Sequence, residues 1–523
     1  MTPTNPLVQP LLTDLYQITM AYGYWRSGIH RKPAAFELFF RKNPFGGEYS
    51  IFAGLREALA FLESYRFADD DIAYLRSVPA LAHVEDDFWD WLAAVDASEL
   101  TVESMLEGTP AFPRIPLLRV EGPIAVAQLM ETTLLNLINF STLIATNAAR
   151  MRYVAGDAAT LMEFGIRRAQ GPDGGMTATR SAVIGGFDST SNVLAGKLMG
   201  IPVAGTHAHA FVQAFMELPD GPFTITDASG AGRDIRPILD RIITGDGAMT
   251  NMGELAAFLA YARSFPGSTL LLVDTYDTLG SGIPNAIRVF KVLRELGHAP
   301  VGIRLDSGDL AYLSREARRM LRDAGFGELK IVASNSINEG VLMELKSHQA
   351  EVDSFGVGTN LVTAEGEPAL GGVYKLVELD GMPRIKISQE PAKITIPGRK
   401  HCYRLTGGDG SYLADVMTLE DEAPPAVGEP FLCRHPFVPG QRVRIVPSAV
   451  ERLHITVFSG GKSLIGEEGI GEIRERSRQL QKGIRPDHRR ALNPTPYKVS
   501  LSEGLFDYMY RLWEREAVVR TIQ

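Results

Sequence analysis

The sequence predicts an α/β protein whose centre is a closed or nearly closed α/β barrel. Three observations predict it. Between Leu161 and Val362, short apolar or β-branched runs alternate with stretches apolar at helical spacing, the signature of parallel βα units. Each run stops at a polar residue or a glycine, the end of the strand at which such sheets hold their ligands. The residues gathered there are also chemically selected: Arg167, Arg168, Asp188, His207, His209, Asp274, Asp277, Arg304, Asp306, Ser307, Asn335, Gly356 and Gly358.

The remainder of the chain frames that centre. Leu11 to Trp25 reads as a helix capped by Thr13 or Asp14, and AAFELFF (34–40) as a strand followed by the basic turn RKNPFGG. Ile51 to Tyr65 reads as an amphipathic helix, and 68–100 as an acidic, aromatic surface segment. The prolines of 110–122 point to edge or irregular strands. From Leu129 to Gly156 the spacing predicts one long buried helix with a polar stripe. Past Leu370, short strands and turns predict a β-rich unit that joins the strands of 110–122. Residues 408–430 read as a surface excursion, and the chain from Ser463 as helical, ending in an amphipathic helix from Glu503 to Glu516. The expected domains are therefore 1–125 (N-terminal α+β), 126–370 (barrel), 371–455 (β-rich, completing the first) and 456–523 (C-terminal helical).

Composition narrows the function classes. A chain of 523 residues exceeds what one core usually serves. A net charge of −9 excludes a general nucleic-acid footprint. No apolar run approaches the ~20 residues of a membrane helix, and the N-terminus does not read as a secretory signal. Two cysteines, Cys402 and Cys433, without CxxC spacing, fit a reducing compartment and plain packing. The cytoplasm is the expected location.

The chemistry lies in a few blocks. IPVAGTHAHAFVQAF delivers His207 and His209 to a strand-to-helix turn, where either could be a metal ligand, a base, a phosphate acceptor or a helix cap. VGIRLDSGDL sets Arg304, Asp306, Ser307 and Gly308 on another such turn, suited to phosphates, sugar hydroxyls and Mg²⁺ carried on phosphates. In VDSFGVGTNL, Gly356, Gly358 and Thr359 let the backbone approach an anion. MEFGIRRAQGPDGG offers Arg167 and Arg168 as forks for a carboxylate or phosphate; on a strand only one would face the pocket. Together these groups imply a phosphorylated sugar and a small anionic partner.

DLYQITMAYGYW, FELFFRKNPFGGEYSIFAGL, ETTLLNLINFSTLIATNAARM, EFGIRRAQGPDGG, GFDSTSNVLAG, GTHAHAF, DTYDTLGSGIPNAI, IRLDSGDL, FGVGTNLVT and, near the end, YKVSLSEGLFDYM resemble the nicotinate phosphoribosyltransferase family in order. The resemblance implies that the centre is an irregular α/β barrel of the type II phosphoribosyltransferase kind. It implies that nicotinate and phosphoribosyl pyrophosphate give nicotinate mononucleotide and pyrophosphate in NAD biosynthesis, with ATP hydrolysis coupled through a phosphohistidine. It selects His209 as the phosphate acceptor, with Arg304 and Asp306 as its catalytic companions and His207 on a variable position. It implies substrate contacts from Tyr16, Phe164, Arg167, Asp188, Thr206, Ser307, Gly308, Asn335, Gly356, Gly358 and Thr359. Mg²⁺ arrives with the phosphates, ATP is a co-substrate, and a homodimer shares its active sites, Tyr16 coming from the partner subunit. No residue is expected to ligate a resident metal. The runner-up substrate is nicotinamide, with Asp188 accepting from the amide. The runner-up class is a metal-dependent amidohydrolase using His207 and His209.

Overall fold

A computed structural model describes residues 5–218, 220–388, 390 and 393–517. The chain is a mixed α/β protein of two compact units, Met1–Ala149 with Arg180–Gly186 and Gly366–Gln523, and Arg150–Thr179 with Phe187–Glu365. The expected boundary at 125/126 is displaced into the helix Glu131–Ala155.

The first unit holds two large sheets. In one, Gly372–Leu379 and Leu118–Pro123 flank Pro33–Phe40, all antiparallel, and Ile455–Ser459 joins through Thr101–Ser104. Pro33–Phe40 is buried on both faces after its first residue, which explains why AAFELFF is apolar almost throughout. The expectation of edge strands in 110–122 fails for Leu118–Pro123. The prolines at 110, 113 and 116 precede it, so the ladder of LRVEG is intact and the strand is central.

The other sheet runs Arg442–Ile445, Phe431–Arg434, Val499–Leu501, Tyr412–Leu419, Lys400–Thr406, Ala449–Arg452. Tyr412–Leu419 lies inside it, so the surface reading of 408–430 is wrong there; apolar YLADVMTL outweighs the acidic flanks. The neighbouring strands face Arg404 to Asp415 at 2.9 and 2.8 Å, both side chains almost wholly buried. Arg404 also donates to the Pro110 carbonyl and stacks over the Tyr412 ring, while the Tyr497 hydroxyl donates to Asp415 at 2.9 Å.

The helix Leu15–Arg26 begins after Asp14, whose side chain does not cap it. Instead Asp14 accepts from the Thr132 hydroxyl at 3.0 Å. The segment 68–100 forms Asp69–Ser77 and Asp86–Ala93, and the second buries Phe88, Trp89 and Leu92. Helix Glu503–Glu516 has the bounds its amphipathic pattern predicts, and Ser502 caps it.

The second unit is built on a parallel six-stranded sheet: Leu270–Leu272, Gly302–Leu305, Lys330–Ala333, Ser354–Val357, Thr160–Glu163, Ser189–Thr190. A single parallel bridge from Thr190 to Val203 extends it. Among the described residues no ladder joins Val203 to Leu270–Leu272, so the strands do not form a closed barrel. IPVAGTH supplies only that bridge, in which the Thr190 N–H donates to the Pro202 carbonyl at 3.0 Å and the Ala204 N–H to the Thr190 carbonyl at 2.9 Å, before the chain turns at Gly205. Helices Ile283–Glu295, Leu310–Asp323 and Glu339–Ser347 follow the strands of this sheet in turn. Among the described residues, no helix is long and apolar enough to cross a membrane.

Candidate functional site

The carboxyl ends of four neighbouring strand positions converge on one polar cluster. It starts from Arg304, penultimate in Gly302–Leu305 and mostly buried. Its Nε donates to the Ser334 hydroxyl at 2.8 Å, and that hydroxyl donates to Asp306 Oδ1 at 2.6 Å. Arg304 Nη2 lies 3.3 Å from the same carboxylate oxygen, so Ser334 locks the arginine and the aspartate into one rigid triangle. Arg304 Nη1 reaches Thr206 Oγ1 at 3.4 Å and the His207 carbonyl at 3.3 Å, tying GTHAH to this strand end.

The next strand contributes Asp274. Its Oδ2 accepts from the Asp306 N–H at 2.7 Å and the Ser307 hydroxyl at 2.6 Å, which shapes the LDSGD turn. Its Oδ1 is buried and accepts no hydrogen bond among the described residues. An uncompensated carboxylate oxygen there holds negative potential against whatever faces it. What faces it is His209: Nε2 lies 4.0 Å from Asp274 Oδ1 and 3.7 Å from Asp306 Oδ2. The other ring nitrogen, Nδ1, is 3.0 Å from the Thr275 hydroxyl. His209 is about one-third exposed, the first residue of the short helix His209–Gln213.

His207 has a different environment. It is buried, its ring packs on Phe211 and Tyr261, and its Nε2 accepts from the Leu272 N–H at 3.3 Å. His207 thus has one nitrogen taken by the backbone and the other, Nδ1, buried among aromatic rings, while His209 sits part-exposed at the strand ends, so the two imidazoles occupy different surroundings. Among the described residues no three His, Cys, Asp or Glu side chains are placed to hold a metal ion. Burial first, and Arg304 and His209 next, push the His207 pKa down to about 4; His454, buried against the Pro116 carbonyl, is likewise lowered to about 4. An unfolded histidine takes its proton near pH 6.5, so below that pH the unfolded chain binds protons that the native state refuses. Native stability is thus full above pH 6.5 and falls as the pH drops towards 4. Urea midpoints at pH 7.5 and pH 5 are expected to differ by roughly 2 kcal/mol for each of these histidines, and replacing His207 by Leu should shrink the difference.

Phe164 and the glycine turn complete the cluster. Arg304 lies over the Phe164 ring at 5.8 Å. A side chain at Gly356 would meet that ring at 2.5 Å, so glycine is what lets strand Ser354–Val357 pass it. Gly358 follows, partly buried, then exposed Thr359 at the start of the short helix Thr359–Val362. Ser307, Gly308 and Asn335 are exposed on the adjoining turns.

Three expected contacts stand apart from this cluster. Thr160–Glu163 ends before the arginines, because Glu163 turns back to accept from the Gly165 N–H and from the Thr179 and Thr190 hydroxyls. Arg167 and Arg168 therefore sit on the turn Ile166–Arg168, both exposed, and the strand argument that only one could face a ligand does not apply. Asp188 precedes its strand, where it accepts from the Leu161 N–H at 2.8 Å and pairs with Arg152. That is the amino-terminal end of the sheet, away from the strand ends that hold Arg304. Tyr16 belongs to the first unit, half-exposed on a cavity walled by Asn136, Asn139, Phe140 and Leu370. Asp274 was gathered with the strand ends but given no role, and Thr275 and Ser334 were not singled out at all. Their only signal was position, one step beyond an apolar run.

A parallel α/β sheet with arginine, carboxylates, histidine and a glycine turn at its carboxyl ends defines an enzyme of phosphate-rich substrates. Family profiles match along the chain: the nicotinate phosphoribosyltransferase N-terminal domain at 11–139, the nicotinate phosphoribosyltransferase family at 159–406 and its C-terminal domain at 399–509. The chain is 49% identical to nicotinate phosphoribosyltransferase 1 of Arabidopsis thaliana, over 99% of this chain and 96% of that one. It is 44% identical to the Homo sapiens nicotinate phosphoribosyltransferase, over 95% of each. The crystal structure of human nicotinic acid phosphoribosyltransferase superposes with a TM-score of 0.85 at 41% identity, covering 97% of this chain and all of that one. The chain belongs to the nicotinate phosphoribosyltransferase family.

Proposed function

We propose that the protein joins nicotinate to phosphoribosyl pyrophosphate, giving nicotinate mononucleotide and pyrophosphate in NAD biosynthesis, with ATP hydrolysis coupled through a phosphate carried on His209. The observation that carries this reading is the match to the family over nearly the whole chain. The cluster supports it in detail. With Nδ1–H donated to Thr275, His209 keeps its Nε2 lone pair for the γ-phosphorus of ATP. The phosphoryl group that results adds about two negative charges beside Asp274 and Asp306. Arg304 is the cation placed to balance them.

In the transfer itself the nicotinate ring nitrogen forms the new bond to ribose C1 as the C1–oxygen bond to pyrophosphate breaks. The ring nitrogen is already a nucleophile, so the site's work is positioning and charge stabilisation. Arg304 and the Ser307–Gly308 turn would hold phosphates, and Asp306 ribose hydroxyls. The Gly356–Gly358–Thr359 turn would hold the 5-phosphate, and Phe164 and Thr206 would pack beside the sugar. Asn335 would meet the same substrate from the next turn. The orphaned Asp274 oxygen and Asp306 are the carboxylates that would meet a Mg²⁺ arriving with the phosphates, which would supply charge neutralisation for the leaving pyrophosphate. Exposed Arg167 offers its fork to the nicotinate carboxylate. Tyr16 would stack on the ring from the partner subunit of a homodimer.

Asp188 gives no support to nicotinamide as the substrate. The carboxylate that was to accept from an amide is committed to Arg152 and the Leu161 N–H. The deciding experiment is turnover of nicotinate against nicotinamide with phosphoribosyl pyrophosphate, with and without ATP. Nicotinate is expected to be turned over and ATP to accelerate it; a preference for nicotinamide overturns the substrate assignment.

A further inference from the structure

The buried arginines of the first unit are paired: Arg119, Arg180 and Arg404 each lie against a carboxylate. Arg114 breaks that pattern. Its guanidinium sits 4.3 Å from the centroid of the Phe437 ring, and no carboxylate among the described residues lies within ion-pairing distance of it. Its backbone is held at φ 74°, in the left-handed region that side chains other than glycine avoid. Strain of this kind persists where the surrounding structure enforces it, and it concentrates at ligand sites.

Arg114 lines a pocket of about 590 Å³ with Lys498, Arg442, Phe437 and Tyr497. Lys498 and Arg442 are exposed and, among the described residues, also lack an ion-pair partner. The pocket wall carries one carboxylate, Glu48, which accepts from the Tyr497 N–H at 3.4 Å and whose pKa burial raises. Burial first, and then the Arg114 charge, hold the His435 pKa below its ordinary value, and its Nδ1 accepts from the N–H groups of Phe437 and Val438. That fixes the loop carrying the aromatic floor. Three cations against one carboxylate, one of them a guanidinium fork resting on an aromatic ring, form a receptor for a multiply charged oxyanion.

We propose that this pocket binds a phosphate-bearing small molecule, with Arg114 and Lys498 on the phosphate and Phe437 beneath it. The ligand is either inorganic phosphate or the phosphate of a nucleotide, and the test separates the two. Thermal midpoints of the full-length protein are titrated with inorganic phosphate, adenosine and ATP at constant ionic strength. An Arg304→Met background removes phosphate binding at the strand-end cluster. In it, phosphate or ATP is expected to raise the midpoint saturably, and adenosine to do nothing. Equal responses to phosphate and ATP assign the inorganic ion; a response to ATP alone assigns a nucleotide. Arg114→Gly, which relieves the strained φ, is expected to melt no lower without ligand yet to bind at least tenfold more weakly. Lys498→Gln, at an exposed position that folding does not need, is expected to weaken binding in the same sense. The proposal is overturned if neither probe gives a saturable response, or if both variants bind as tightly as their background. It is also overturned if Arg114→Gly changes the oligomeric state while leaving binding intact, which would give the cations to a contact between copies.

Discussion

A His209→Ala variant is expected to make product formation indifferent to ATP, with the ATP-stimulated rate at low phosphoribosyl pyrophosphate falling about 100-fold. His209 is the imidazole with one nitrogen oriented by a hydroxyl and the other turned towards two strand-end carboxylates. Alanine removes the phosphate acceptor and leaves the Arg304–Ser334–Asp306 triangle standing. Slow, ATP-independent transfer should therefore survive. His209→Asn, which can keep a hydrogen bond to Thr275 and cannot accept a phosphoryl group, is expected to behave like alanine. The measurement is nicotinate mononucleotide formed per ATP hydrolysed; a ratio unchanged from wild type in either variant would remove His209 from the coupling.

Asp415→Ala is expected to destabilise the protein by about 3–5 kcal/mol, because it strands a buried guanidinium. Arg404 is fully buried and places two nitrogens on that carboxylate, while the Tyr497 hydroxyl loses its acceptor at the same time. The double variant Arg404→Met, Asp415→Leu removes both charges together and should recover most of the loss, since the cost lies in the unpaired charge. Denaturant midpoints of the two single variants and the double variant decide this. Additive losses would show that packing, not charge compensation, dominates the site.

Much of the second unit is legible from residue order alone. The turn at Arg304 to Gly308 could be read because an apolar run stops there, and in the structure Asp309 caps the helix Leu310–Asp323 that follows it. The strand ends at Arg304 and Gly356 were legible because apolar runs stop there for a physical reason, the change from buried ladder to turn. Closure of the sheet was not legible. IPVAGTH has the composition of a strand, yet it contributes one bridge, and nothing local says that the partner ladder is missing. Asp188 and Arg167 mark the same limit. Each stands within a few residues of a true strand, and a shift of that size moves a side chain from the carboxyl end of a sheet to its amino end, or from a strand to a turn. Ser334 and Thr275 were invisible because a hydroxyl that orients another side chain leaves no spacing pattern.

The strand Leu270–Leu272 pairs with a neighbour on one side only, and its three leucines form an apolar edge with an unshared amide. A buried amide left without a partner costs free energy comparable to a lost hydrogen bond. Here the amide of Leu272 is satisfied by an imidazole packed on aromatic rings, which ends the ladder with a side chain that cannot propagate it. His207 thus acts as a stopper on the sheet. Leu270–Leu272 is buried along its length, so the ring serves the interior of the unit, giving a partner to an amide that the sheet itself leaves over.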